Sequence, residues 1–214
     1  MNFDQARKEL FEKKIVAIMR GVPQDKVGKV AKAVYEGGVR FFEICFNQQS
    51  DDPLTEFEKQ YQAVRENVGE DAHVGAGTVI TKEQVDFLGK LGGEMFVAPN
   101  TDVELIKAAK AYGMIAVPGA ETPSEIVTAY QAGADLVKLY VVEEPKRVKM
   151  LRGPLGHIPM QITCNVSLDT IPQFLEAGIK CFGTKAMTPE AMINKEDYAG
   201  IKELSEKFST AVLQ

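Results

Sequence analysis

The stretch "QAGADLVKLY", residues 131–140, begins as the tail of a helix, turns at Gly133 and continues as an apolar strand. The same form recurs in "YEGGVRFFEI" (35–44), "KLGGEMFVAP" (90–99), "AYGMIAVPG" (111–119) and "EAGIKCFGT" (176–184). Glycine placed just after a helix adopts the left-handed conformation that closes it. These five sites therefore mark helix-to-strand turns. Their spacing gives a loose internal repeat of roughly 20–30 residues, the size of one βα unit.

Outward from these turns, apolar strands are predicted at 15–20, 41–46, 73–79, 94–99, 114–118, 136–142, 160–163 and 180–183. Helical patterns fall between them at 24–35, 54–67, 82–91, 102–111, 123–131 and 168–176, and "IKELSEKFSTAV" (201–212) closes the chain as a last helix. Asp52, in "DDPLTEFEKQ", is the expected N-cap of a solvated helix start. "VEEPKRVKMLRG" (142–153) reads as a charged surface loop and helix placed to cover one end of the fold. Strands that are apolar throughout belong in a parallel sheet with both faces covered. The pattern predicts a single α/β domain over residues 1–214, a (β/α)8 TIM barrel with an extra N-terminal helix. An open doubly wound sheet is the rival, but no G-x-G-x-x-G follows the first strand, and eight evenly spaced units suit closure better.

Composition narrows the function. The 214 residues are 45% hydrophobic and 26% charged, with a net charge of −5 and no tryptophan. Such a balance offers no basic footprint for nucleic acid or an anionic membrane. No apolar run approaches the ~18–20 residues that span a bilayer. "MNFDQARKELFEKK" (1–14) is a charged amphipathic helix without the apolar core of a signal peptide. Cys45, Cys164 and Cys181 show no C-x-x-C spacing, which points to a reducing, cytoplasmic setting without a disulfide framework or zinc site. The two histidines, His73 and His157, exclude a His-rich metal centre and argue against a histidine-based triad.

One residue in the opening stretch does not fit its surroundings. Lys138 lies within an apolar run, and an unpaired buried ammonium costs several kcal/mol unless it gives up its proton. Alternation along the strand turns Val137 and Leu139 toward the helices and Lys138 into the barrel. In "FFEICF" (41–46) the same rule turns Phe42 and Ile44 outward and Glu43 inward. In the seventh strand Met160 and Ile162 face out, Gln161 and Thr163 in. Arg20 and Thr78 end the first and third strands, at the edge where barrel active sites are built. A Lys–Glu pair alone is equally well read as a structural ion pair. Convergence with Arg20, Thr78 and Thr163 favours a site. A lysine amine ordinarily titrates near about 10.4. Desolvation and a nearby cation lower that value, freeing an amine that attacks a carbonyl and forms a Schiff base. Glu43 is the carboxylate placed to move protons. Such chemistry needs no cofactor and no metal.

At these residues the chain resembles the 2-keto-3-deoxy-6-phosphogluconate / 4-hydroxy-2-oxoglutarate aldolase family. The resemblance rests on the order and spacing of "IVAIMRGV", "GGVRFFEICFN", "VGAGTVITKEQV", "FVAPNTD", "MIAVPGAETPSE" and "ADLVKLY". It implies a class I aldolase that cleaves a 2-keto-3-deoxy sugar acid, with or without a 6-phosphate, to pyruvate and an aldehyde in carbohydrate metabolism. Lys138 then corresponds to the Schiff-base lysine and Glu43 to the acid/base. Arg20 and Thr78 correspond to carboxylate anchors, and Pro99 and Thr163 to pocket lining. A homotrimer is implied, with a small-molecule substrate as partner. Asn47 stands where many members have arginine; the galactonate-type branch has asparagine there, so the resemblance points to that branch. The glycine-rich phosphate loops are altered: Thr163, Cys164 and Asn165 occupy one place, and Gly183, Thr184 and Lys185 the other. Lys185 offers a point charge where backbone N–H groups would otherwise serve. Alternatives are a 4-hydroxy-2-oxoglutarate aldolase or another imine-forming 2-oxo-acid lyase, a phosphosugar isomerase or epimerase using carboxylate or histidine bases, against which the shortage of histidine argues, and a non-catalytic binder on the same fold. Cys164 reads as a small polar filler.

Overall fold

The computed structural model describes residues 3–214; Met1 and Asn2, at the head of the expected N-terminal helix, lie outside the described residues. Parallel strands β1 (Ile15–Ile18), β2 (Phe41–Cys45), β3 (His73–Gly77), β4 (Met95–Val97), β5 (Ile115–Val117), β6 (Gly119–Ala120), β7 (Val137–Leu139), β8 (Met160–Ile162) and β9 (Cys181–Thr184) form one sheet. Its order is β5-β4-β3-β2-β1-β9-β8-β7-β6. Eight strands were expected, and the ninth arises because the chain resumes pairing at Gly119–Ala120, just past Pro118, where the fifth expected strand ends. Proline has no N–H to give a ladder. The segment before it pairs with β4, Met95 opposite Ile115, and the segment after it pairs with β7, Gly119 opposite Lys138. The Pro118 carbonyl still accepts the Lys138 N–H at 2.9 Å. One bent strand thus joins both ends of the sheet into a (β/α)8 barrel with an extra N-terminal helix.

The helices are α1 (Phe3–Lys13), α2 (Val27–Glu36), α3 (Pro53–Arg65), α4 (Lys82–Lys90), α5 (Val103–Ala111), α6 (Pro123–Gln131), α7 (Pro145–Leu155), α8 (Ile171–Glu176), α9 (Glu190–Asn194) and α10 (Tyr198–Ala211). Their starts follow local chemistry. Asp52 accepts the Thr55 N–H at 3.1 Å, as expected of a cap, while Thr81 and Thr122 form full capping boxes with Gln84 and Glu125. The glycine turns are as predicted: Gly133 has φ 102°, and Gly38, Gly92, Gly113 and Gly178 share its sign.

Alternation divides the core in two. Phe42, Ile44, Val137, Leu139, Met160 and Ile162 face the helices in the larger cluster. Inside the barrel, Val16, Phe41, Met95, Val97, Ile115, Val117, Leu136 and Cys181 pack with Ala6 and Leu10 of α1. The N-terminal helix therefore plugs the bottom of the barrel, and burying Leu10 alone contributes roughly 1.5–3 kcal/mol. His73 fastens this plug. Its ring stacks on Phe41 at 4.4 Å, and its two nitrogens meet Glu9 of α1 at 3.2 Å and Glu94 at 2.7 Å. Among the described residues no helix is long and apolar enough to cross a membrane.

Candidate active site

Above the plug the barrel interior turns polar. Lys138 is 7% exposed and Glu43 3% exposed, and both point inward as alternation requires. Burial pushes the Lys138 amine below its ordinary value; the charge of Glu43 opposes this, and Arg20 reinforces it. Glu43 and Lys138 feel each other's charge but form no ion pair at 4.0 Å or less among the described residues. That geometry does not match a structural salt bridge, in which close contact would hold the ammonium charged. The Lys138 Nζ instead lies 5.2 Å from the centre of the Tyr140 ring.

Glu43 is held by one oxygen. Its Oε1 accepts the Cys45 thiol at 3.4 Å, and its Oε2, fully enclosed, has no protein partner. Gly77, on the neighbouring strand, leaves the space in which Oε1 sits; a Cβ there would collide with the carboxylate.

The rim is built at the C-terminal strand ends. Arg20, just past β1, donates from Nη2 to Thr78 Oγ1 at 2.5 Å, and Gln48 donates to the Thr78 carbonyl at 2.7 Å. Thr78, Val141 and Asn165, which follow β3, β7 and β8, have left-handed backbones with φ of 57°, 62° and 53°. For the β-branched Thr78 and Val141 this is a strained conformation, costing on the order of 1–3 kcal/mol each. Such strain gathered at one end of a barrel marks a functional rim. Of the five such non-glycine residues among those described, Thr78 and Asn165 line the cavity at this end, and Lys14, Val141 and Glu196 do not.

These residues enclose a cavity of about 800 Å³. Of the residues expected from the sequence, Lys138, Glu43, Arg20, Thr78, Pro99, Thr163, Asn165, Thr184 and Lys185 line it, as does Cys164. Asn47 does not. It lies in an adjoining space of about 700 Å³ that shares Arg20, and its amide donates to the Glu56 carboxylate at 3.3 Å. Gly183 also lies off the cavity surface, in the barrel wall. A Cβ there would come within 2.6 Å of the Gln161 amide nitrogen, so this glycine makes room for an interior side chain. The segment after β7 runs past the mouth without Glu143 or Glu144 entering the lining; the Glu143 carbonyl receives the Asn165 amide at 3.0 Å.

Sequence reasoning passed over Cys45, Tyr140, Ser167 and Glu190. Cys45 and Tyr140 were within reach, because each lies two positions beyond an inward-facing catalytic candidate. Ser167 sits on a loop and Glu190 opens the short helix α9, both outside the strands where alternation applies. The distal loops partly satisfy themselves. Thr184 Oγ1 accepts the Ala186 N–H at 3.0 Å, and Thr170 Oγ1 accepts the Ser167 N–H at 2.9 Å. Lys185 and Glu190 add one charge of each sign to that wall. Among the described residues no three His, Cys, Asp or Glu side chains gather in a metal-binding group.

The whole chain is similar to known proteins. The family model described as KDPG and KHG aldolase matches residues 7–204. A 2-dehydro-3-deoxy-6-phosphogalactonate aldolase of Escherichia coli K12 is 32% identical over 167 residues, which are 77% of this chain and 78% of the relative. A probable aldolase of the same description from Rhizobium meliloti is 31% identical over 175 residues, 80% of each chain. A solved structure described as native KDPGal superposes with a TM-score of 0.80 at 29% identity, covering 92% of this chain and 93% of the other.

Proposed function

The chain belongs to the KDPG and KHG aldolase family, and on that footing we propose that it is a class I aldolase, a carbon–carbon lyase that cleaves a 2-keto-3-deoxy sugar acid to pyruvate and an aldehyde. The observation that carries the assignment of roles is the buried Lys138 amine, depressed by desolvation within reach of the charge of Glu43, whose Oε2 has no hydrogen-bond partner.

The steps follow from those two groups. Lys138 first passes its ammonium proton to the Glu43 carboxylate; the neutral amine attacks the substrate C2 carbonyl, and the displaced π pair on oxygen takes that proton from Glu43. The carbinolamine then loses its hydroxyl as water to give the iminium. Glu43, now a carboxylate, takes the proton of the C4 hydroxyl; the C3–C4 bond breaks, the aldehyde leaves, and the bonding pair passes into an enamine. Glu43 returns the proton to C3, and water releases pyruvate and the free amine. In this reading Arg20 and Thr78 grip the C1 carboxylate, with Pro99 and Thr163 as pocket walls. Asn165, Thr184 and Lys185 shape the far end, where the left-handed turn at Asn165 and the Lys185 cation receive a polar or phosphorylated terminus. Asn47 and Gly183 support the site from outside the cavity.

The assay measures pyruvate release from a 2-keto-3-deoxy sugar acid, its 6-phosphate and 4-hydroxy-2-oxoglutarate. The expected result is turnover of at least one deoxy sugar acid at a rate above that on 4-hydroxy-2-oxoglutarate. Faster turnover of the dicarboxylate would shift the assignment to the hydroxyoxoglutarate aldolase. We also propose one catalytic barrel per chain and a cytoplasmic homotrimer, on the strength of the family resemblance and the free cysteines; light scattering should give three times the mass of one chain.

A further inference from the structure

We propose that Cys45 is a positioning residue for Glu43: its thiol holds Oε1 and leaves Oε2 free to carry protons, a role that rests on the aldolase reading above. Glu43 and Cys45 are two residues apart on β2, so both face the barrel interior. The thiol reaches Glu43 Oε1 at 3.4 Å. Across the sheet the register partner of Cys45 is Gly77, whose missing Cβ provides the space that Oε1 fills. One carboxylate oxygen is thereby gripped from β2 and seated against β3. The other oxygen is enclosed and has no protein partner, so no hydrogen bond competes for the proton it carries.

Arg20 donates to Thr78 Oγ1, and on the neighbouring strand the Cys45 S–H donates to Glu43 Oε1. A thiol can serve this way only while protonated. Cys45 keeps some surface open to the adjoining space, yet enough protein surrounds it that burial, with the Glu43 charge added, raises its thiol far above the usual range. It is a neutral donor and an inert nucleophile. The S–H group is a weak donor, so what it supplies is orientation.

The test separates proton transfer from imine formation. In deuterium oxide, the Lys138 iminium of pyruvate exchanges its methyl hydrogens: Glu43 removes a C3 proton, the C–H pair forms the enamine, and a solvent deuteron returns by the same carboxyl. Exchange is followed by proton NMR, and imine formation by borohydride reduction and intact mass. Cys45→Ala should slow exchange about tenfold, the scale of losing one hydrogen bond to a charged group, while trapping reaches the wild-type extent. Cys45→Ser, which restores a donor, should recover most of the rate. Gly77→Ala leaves the thiol in place but pushes on the flexible end of Glu43, and it should slow exchange as well, which guards against a misfolded Cys45 variant. Exchange within about twofold of wild type in both Cys45→Ala and Gly77→Ala, or a serine variant as slow as the alanine one, overturns the role of Cys45. Failure of the wild-type protein to trap pyruvate would instead overturn the aldolase reading itself.

Discussion

A lysine in the wall of an apolar barrel is intelligible only through its proton. Unfolded, Lys138 is charged at neutral pH; folded, burial favours the free amine. Between the lowered folded value and the ordinary unfolded one, the unfolded chain binds more protons, so this residue costs stability there and the cost fades as pH rises. Lys138→Met should therefore leave the protein at least as stable as wild type at pH 7 by denaturant titration, while pyruvate release falls to background. Loss of folding together with activity would mean that the lysine is structural. Glu43→Gln keeps shape and hydrogen bonding but cannot move a proton. It should lower kcat by roughly 10²–10⁴-fold and still allow some borohydride-trapped adduct, a split visible by comparing turnover with intact mass. Both candidates were legible in the sequence because a charged residue in an apolar, alternating strand has only one interior direction to point. Cys45 was not singled out, since a small soft side chain in such a strand carries no such anomaly.

At the scale of elements, strands and turns were readable and their ends were not. The five glycines set the helix-to-strand turns, and the backbone at each follows from its lack of a Cβ. The fifth strand was drawn to end at Pro118, yet Gly119 and Ala120 beyond it pair with β7, because hydropathy does not show where pairing resumes past a residue without an N–H. Asn47 shows the same limit. Alternation along β2 stops at Cys45, after which Asn47 Oδ1 accepts the Gln49 N–H in a local turn and the side chain leaves the barrel interior. Gly183 pairs with Val16, below the rim, so it belongs to the wall and not the lining. The α1 plug carries its own prediction. Burial works against protonation of His73, but its bonds to Glu94 and Glu9 outweigh this and raise its pKa above 6.5. A group raised in this way stabilises fully below its unfolded value, and the contribution is lost as pH rises through the folded one. Denaturant midpoints should thus fall from pH 6 toward pH 8.5, and His73→Phe, which keeps the stack on Phe41, should flatten that slope. An unchanged slope would remove His73 from the account of how α1 is held.

Over the whole molecule, the closed end and the open end of the barrel divide the work. The N-terminal end is filled by α1 and apolar side chains, while strain, charge and the cavity collect at the C-terminal end. The repeat of βα units made the closed barrel legible from sequence, and the family resemblance made the chemistry legible. The distal loops were not, because recognition there depends on loop hydrogen bonds such as Thr184 with the Ala186 N–H, which no pattern of residues announces. The most direct measurement is reductive trapping: the folded protein is incubated with pyruvate, reduced with borohydride and mapped by peptide mass spectrometry. A single reduced pyruvate on the peptide that holds Lys138, missing from Lys138→Met, is the expected result. No adduct, or an adduct on another lysine, would contradict the imine mechanism proposed for this site.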